Sequence, residues 1–172
     1  VPGPQGLQGV QGPQGSPGRG IDEKWGFIAD IGWPHEGRIR AAEAVRLLHG
    51  LKMAFSKPFH PLVRETAPQT VQVWFEPAGA ASATAQSAPR QVMTLHGKLS
   101  YDLRSLAWEL VDDDAVVTRL FVAGGRVIIR VHCGVLGDED GRAFSSAQTA
   151  LARWETLPVP GGIFESWFFT TE

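Results

Sequence analysis

The sequence predicts a mainly β domain: an antiparallel β-sandwich of jelly-roll type with one short covering helix, preceded by a segment of strict Gly-X-Y period. Three observations predict it. Short apolar runs with turn-forming clusters between them recur at a spacing of roughly 8–12 residues, the rhythm of sandwiches and jelly rolls. A single stretch has the helical period, and no helices alternate with the strands, which argues against a parallel α/β sheet. Glycine and proline are distributed unevenly: of 20 glycines and 12 prolines in 172 residues, seven and four lie in the first 20 positions.

The chain therefore divides into residues 1–20, which cannot bury a core, and residues 21–172, of ordinary globular composition and long enough for one good core. In the first part Gly3, Gly6, Gly9, Gly12, Gly15 and Gly18 keep perfect register. Three polyproline-II chains can wind together only where every third residue lacks a side chain, because that residue sits at the crowded axis. Pro2, Pro4, Pro13 and Pro17 favour the extended backbone, and Gln5, Gln8, Gln11 and Gln14 occupy the position before glycine, pointing outward. A flexible Gly/Pro linker has no reason to hold such a period. Six triplets span about 55 Å at about 3.1 Å per residue, so the segment is expected to be the end of a longer stalk. The chain opens at Val1 in mid-repeat, as expected of a fragment or processed product.

Along residues 21–172 the elements follow in order. Residues 21–34 form an opening segment with short strand potential, with Phe27, Ile28 and Ile31 as core candidates. Residues 38–49 read as the helix: Ile39, Ala42, Val45 and Leu48 recur at helical spacing opposite Arg40, Glu43 and Arg46, with Gly50 as the stop. After Gly50 the period falls to two. Residues 51–55 and 71–75 are strands, with a Pro-rich loop over 56–69 and an Ala/Ser-rich loop over 77–90. Strands are predicted at 91–99, 104–111, 115–122 and 126–136, with Asp112-Asp113-Asp114 and 123–125 as turns. Residues 145–154 are ambiguous, and 163–170 form the last strand.

Composition excludes several function classes. No apolar run approaches the roughly 18 residues of a membrane span. A net charge of −2 gives no electrostatic reason for nucleic acid or an anionic membrane as partner. The single Cys133 excludes an intrachain disulfide framework. On a strand, Cys133 and the adjacent His132 point to opposite faces, so they cannot form a nucleophile–base pair; Val131, Cys133 and Val135 share one face, and a buried structural cysteine is expected. His35, His49, His60, His96 and His132 show no metal-ligand spacing. Asp138-Glu139-Asp140-Gly141 resembles the opening of a calcium loop, but Arg142 follows where further ligands belong. Ser166 lacks the glycines of a nucleophile elbow. No catalytic residue, metal or cofactor is expected.

Two resemblances add to this reading. Residues 1–18 resemble the stalks of bacterial and phage collagen-like proteins. The ending Gly161-Gly162-Ile163-Phe164-Glu165-Ser166-Trp167-Phe168 resembles the C-terminal GGxFESWF signature of uncharacterised bacterial domains, and two further segments fit the same resemblance, Gly32-Trp33-Pro34-His35-Glu36-Gly37 before the helix and Gly141-Arg142-Ala143 late in the chain. Gly161, Gly162, Phe164, Glu165, Trp167 and Phe168 are thus candidate interface or signature residues, with Ile163, Glu165, Trp167 and Phe169 on one face. Aromatics on both faces suggest a strand buried on both sides. The first resemblance implies a homotrimer and an extracellular, cell-surface or virion setting. The expected function is a non-catalytic head of a collagen-like stalk that trimerises, sets chain register and presents loops to a partner. The alternative is a monomeric β-sandwich module carried on the stalk, binding a glycan or a surface protein through the loops 56–69 and 77–90. A hydrolase assembled from scattered His, Asp and Ser residues has no motif behind it.

Overall fold

Alternating burial along short strands sorts the chain into two sheets. The computed structural model describes residues 25–63, 70–81, 92–149 and 161–172; the Gly-X-Y segment, residues 64–69 and 82–90 of the two long loops and Trp154 lie outside them. In order the elements are β1 (Phe27–Ile31), β2 (Arg38–Arg40), α1 (Ala41–Leu48), β3 (Leu51–Phe55), β4 (Val71–Pro77), β5 (Met93–Leu95), β6 (Gly97–Tyr101), β7 (Ser105–Leu110), α2 (Asp114–Val122), β8 (Gly125–His132), β9 (Ser145–Thr149) and β10 (Ile163–Thr171). The fold is mainly β, as predicted.

The first sheet has the order β6-β7-β3-β1-β9 and the second β2-β10-β8-β4-β5. Both are mixed. Most pairs are antiparallel, but β1 runs parallel to β9 and β10 parallel to β2. The first sheet turns inward Ile28, Leu51, Met53, Phe55, Leu106, Trp108 and Leu110; the second turns inward Val73, Phe75, Val127, Ile129, Phe164 and Phe168, and all belong to one apolar cluster. Phe55, Phe59 and Phe144 meet edge to face at centroid distances of 4.7–5.5 Å, a geometry in which ring edges meet ring faces favourably.

Helix α1 forms, but one turn later than the sequence suggests. Arg38–Arg40 leave the helix to pair with β10, at Phe169, Thr170 and Thr171. The buried stripe becomes Ala41, Ala44, Val45 and Leu48, at i, i+3, i+4 and i+7, while Ala42 is exposed. The α1 face packs against α2, β7 and β10.

Three further expectations change. Residues 115–122 form helix α2, not a strand. Their β-branched residues favour a strand, but Asp113 caps the helix by accepting the N–H groups of Ala115 and Val116, and Val117 and Phe121 reach the core four residues apart. Residues 91–99 do not make one strand. The chain changes sheet between β5 and β6, and Asp112 holds the corner by accepting the backbone N–H of His96 at 2.7 Å. The strand at 126–136 stops at His132, and Cys133–Val135 make a 3₁₀ turn, so Cys133 is buried while Val135 is exposed. The ambiguous 145–154 stretch opens with strand β9, and its remainder lies outside the described residues.

Candidate functional site

Strand β10 carries most of the signature, and its alternation decides what each residue does. Phe164, Ser166, Phe168 and Thr170 point into the core, while Ile163 and Phe169 are 52% and 38% exposed. Within one chain the strand is therefore buried on one side only. Gly161 and Gly162 lead into it with φ of 76° and 83°, left-handed backbone that favours glycine.

On the outer face, β8 lies between β4 and β10, and Trp74, Ile128 and Trp167 form one cross-strand row. Two arginines of β8 bracket this row reciprocally. Arg126 donates to Glu76 on β4 at 2.7 and 3.0 Å and lies over the Trp167 ring of β10 at 5.7 Å. Arg130 pairs with Glu165 on β10 and lies over the Trp74 ring of β4 at 4.8 Å. Half-exposed pairs of this kind contribute about 0.2–1 kcal/mol each, so their main effect is to hold guanidinium planes and indole rings in place.

Toward the C-terminal end of β10 the same face opens into a groove of about 490 Å³. Arg38, Phe169, Arg126 and Glu76 line it as successive members of one row across four strands. Gly124 and Gly125 line the end of the groove; a Cβ on Gly125 would stand 2.5 Å from the Glu76 carbonyl oxygen and 2.5 Å from the Phe75 ring, so glycine lets β8 begin there.

The other face of β10 is tied down by a contact that sequence reading missed. The Trp33 indole N–H donates to Ser166 Oγ at 2.9 Å, and His35 Nδ1 lies 2.9 Å from the same oxygen. Trp33 can only donate, so Ser166 accepts there, and all three groups are satisfied when the hydroxyl donates to an unprotonated His35 Nδ1. The turn that delivers these residues runs through Glu36 at φ 58°, whose N–H donates to the Trp167 carbonyl at 2.7 Å. Gly37 O accepts from the Phe169 N–H at 2.8 Å. The 32–37 and 161–168 motifs thus form one unit. Their shared resemblance was the available signal. Ser166 is 0% exposed with its oxygen engaged twice, which makes this Ser–His contact a lock and not a nucleophile.

The remaining candidates have structural partners. Cys133 is buried, and loss of solvation pushes its thiol up to about 12, against a weaker opposing backbone hydrogen bond from Phe164. The three aspartates at 112–114 divide their work: Asp112 holds His96, Asp113 caps α2, and Asp114 meets His49 Nε2 at 2.8 Å, joining the two helices. Asp138 is buried; its Oδ1 accepts the N–H groups of Asp140 and Arg142, and Lys57 lies 3.6 Å from Oδ2. His132 meets Gln72 at 3.2 Å, and His96 meets Asp112 at 3.0 Å, so each has its own partner. Among the described residues no three His, Cys, Asp or Glu side chains converge as a metal site, and no helix is long and apolar enough to cross a membrane. Comparison with family models, curated proteins and solved structures finds no match.

Proposed function

We propose that residues 21–172 are the non-catalytic, trimerising head of a collagen-like stalk. The observation that carries this is the unbroken glycine period from Gly3 to Gly18, useful only when three chains wind together. Aligning three repetitive chains is entropically costly, and a head that associates at one end raises their effective concentration and sets their register.

The geometry supports a division of the head into two ends. The stalk would join at Trp25–Phe27. There Phe27 O accepts from Ser56 N at 2.9 Å, Phe55 N donates to Arg104 O at 2.8 Å and Phe59 N donates to Leu103 O at 2.9 Å. At this same end Leu62 and Leu103 stand 58% and 64% exposed. They are the apolar groups best placed for contact where three stalk chains converge. Gly161 belongs to this end too, through Ser145, whose N–H bonds Gly26 O at 2.7 Å. Strand β10 then runs nine residues away from it, about 26 Å, toward the groove at Phe169.

The test is sedimentation equilibrium of the full chain. A trimer has three times the 18.6 kDa of one chain, and the double substitution Leu62→Glu/Leu103→Glu is expected to weaken it. A monomer at micromolar concentration overturns the trimeric reading and favours the alternative, a monomeric binding module, for which the open Trp74–Trp167 face speaks.

A further inference from the structure

We infer that the groove beside Phe169 is a binding site for an acidic saccharide, a sugar whose ring carries a carboxylate or sulfate group.

The charge pattern points to the acid group. On the outer face, Glu76 pairs with Arg126 and Glu165 with Arg130, while Arg38 and Arg40 on the edge strand β2 have no acidic partner among the described residues. Arg38 and Arg126 flank Phe169 in one row, two strand spacings or about 10 Å apart. That leaves Arg38 as an uncommitted cation at the mouth of a groove of about 490 Å³, within the size range of small-molecule sites. A guanidinium so placed takes a carboxylate or sulfate through paired hydrogen bonds.

The rest of the lining points to the sugar. Phe169 offers a 38% exposed aromatic surface, suited to the C–H face of a pyranose ring. Beyond it, the Glu76–Arg126 pair presents acceptor and donor side by side, and Thr171 adds a hydroxyl. Groups that both donate and accept, as sugar hydroxyls do, satisfy such a pair. A polyphosphate or nucleic acid backbone carries a charge on every unit, more than the single Arg38 cation balances. Arg126 is held between Glu76 and the Trp167 ring, so little side-chain freedom is lost on binding.

The inference uses the proposed head only for orientation, since a single chain builds the whole groove. Calorimetric titration of the full chain with three tetrasaccharides tests it: hyaluronan-derived, carrying carboxylates only; carrageenan-derived, carrying sulfates only; and neutral cellotetraose. Binding of either acidic probe, weakening with salt and absent for cellotetraose, is expected, and identifies which acid the site prefers. Arg38→Gln should lower that affinity about tenfold or more. Phe169→Ala should also lower it, and Arg38→Gln should keep the wild-type melting profile because its side chain is exposed. Equal binding of the neutral probe, no binding of any probe, or unchanged binding by Arg38→Gln overturns the assignment. Binding by a chain that sediments as a monomer supports the site while refuting trimerisation, so the two readings fail separately.

Discussion

His35 Nδ1 and Ser166 Oγ lie 2.9 Å apart, across 131 positions of sequence, and the same oxygen accepts the Trp33 indole N–H. Ser166→Ala leaves the buried Trp33 donor unpaired, and an unmet buried donor costs about 1–3 kcal/mol. Urea unfolding followed by tryptophan fluorescence should show that loss. His35→Ala should cost less, because the ring is 28% exposed and water replaces the bond. A Ser166→Ala midpoint equal to wild type would show that the lock does not hold the turn on β10.

Asp113 is the difference between a strand and a helix at residues 114–122. Asp113→Ala removes the acceptor for the N–H groups of Ala115 and Val116, at 2.9 and 3.1 Å. The expected cost is about 0.5–2 kcal/mol, readable as a shift in the thermal midpoint. Asp113→Asn keeps the cap and should recover most of it. If Asn and Ala behave alike, capping is not what starts α2.

Burial of Cys133 predicts an alkaline loss of stability. Its thiol rises from an ordinary 9.0 to about 12 on folding. Between these values the unfolded chain loses the proton and the folded chain keeps it, so the native state binds more protons and stability falls as pH rises. The contribution is complete below about pH 9. Cys133→Ala should flatten the decline between about pH 9 and 12, leaving a residual slope of the same sign from Tyr101, whose hydroxyl burial also pushes up. Native Cys133 should resist iodoacetamide at about pH 8 and react after unfolding. Equal slopes in wild type and variant, or fast native labelling, refute the burial.

The strands β3, β4, β7, β8 and β10 were legible because a strand with one face in a core must alternate, and their residues do. Helix α2 was not. Val116, Val117 and Phe121 suit a strand, and the decision rests on the Asp113 cap and on where Phe121 packs, 5.0 Å from the Phe75 ring. The break between β5 and β6 was equally hidden, since 91–99 has no proline and only Gly97 to interrupt it. Its cause is Asp112 grasping His96 from the far side of a hairpin. The face assignment on β10 was readable from the sequence, with Trp167 and Phe169 on one side and Phe164 and Phe168 on the other. Their different fates were not, because alternation says which residues share a face and not whether anything covers it.

By itself the sequence determined the Gly-X-Y register, the mainly β class and the two-sided signature strand, all of which follow from local periods. The tertiary structure alone decided that the 32–37 turn locks onto β10, that Arg126 and Arg130 each span from a glutamate on one neighbouring strand to a tryptophan on the other, and that Arg38 stands beside Phe169 with no acidic partner among the described residues. Those relations join residues far apart in the chain, and only the order in which strands pair brings them into one row.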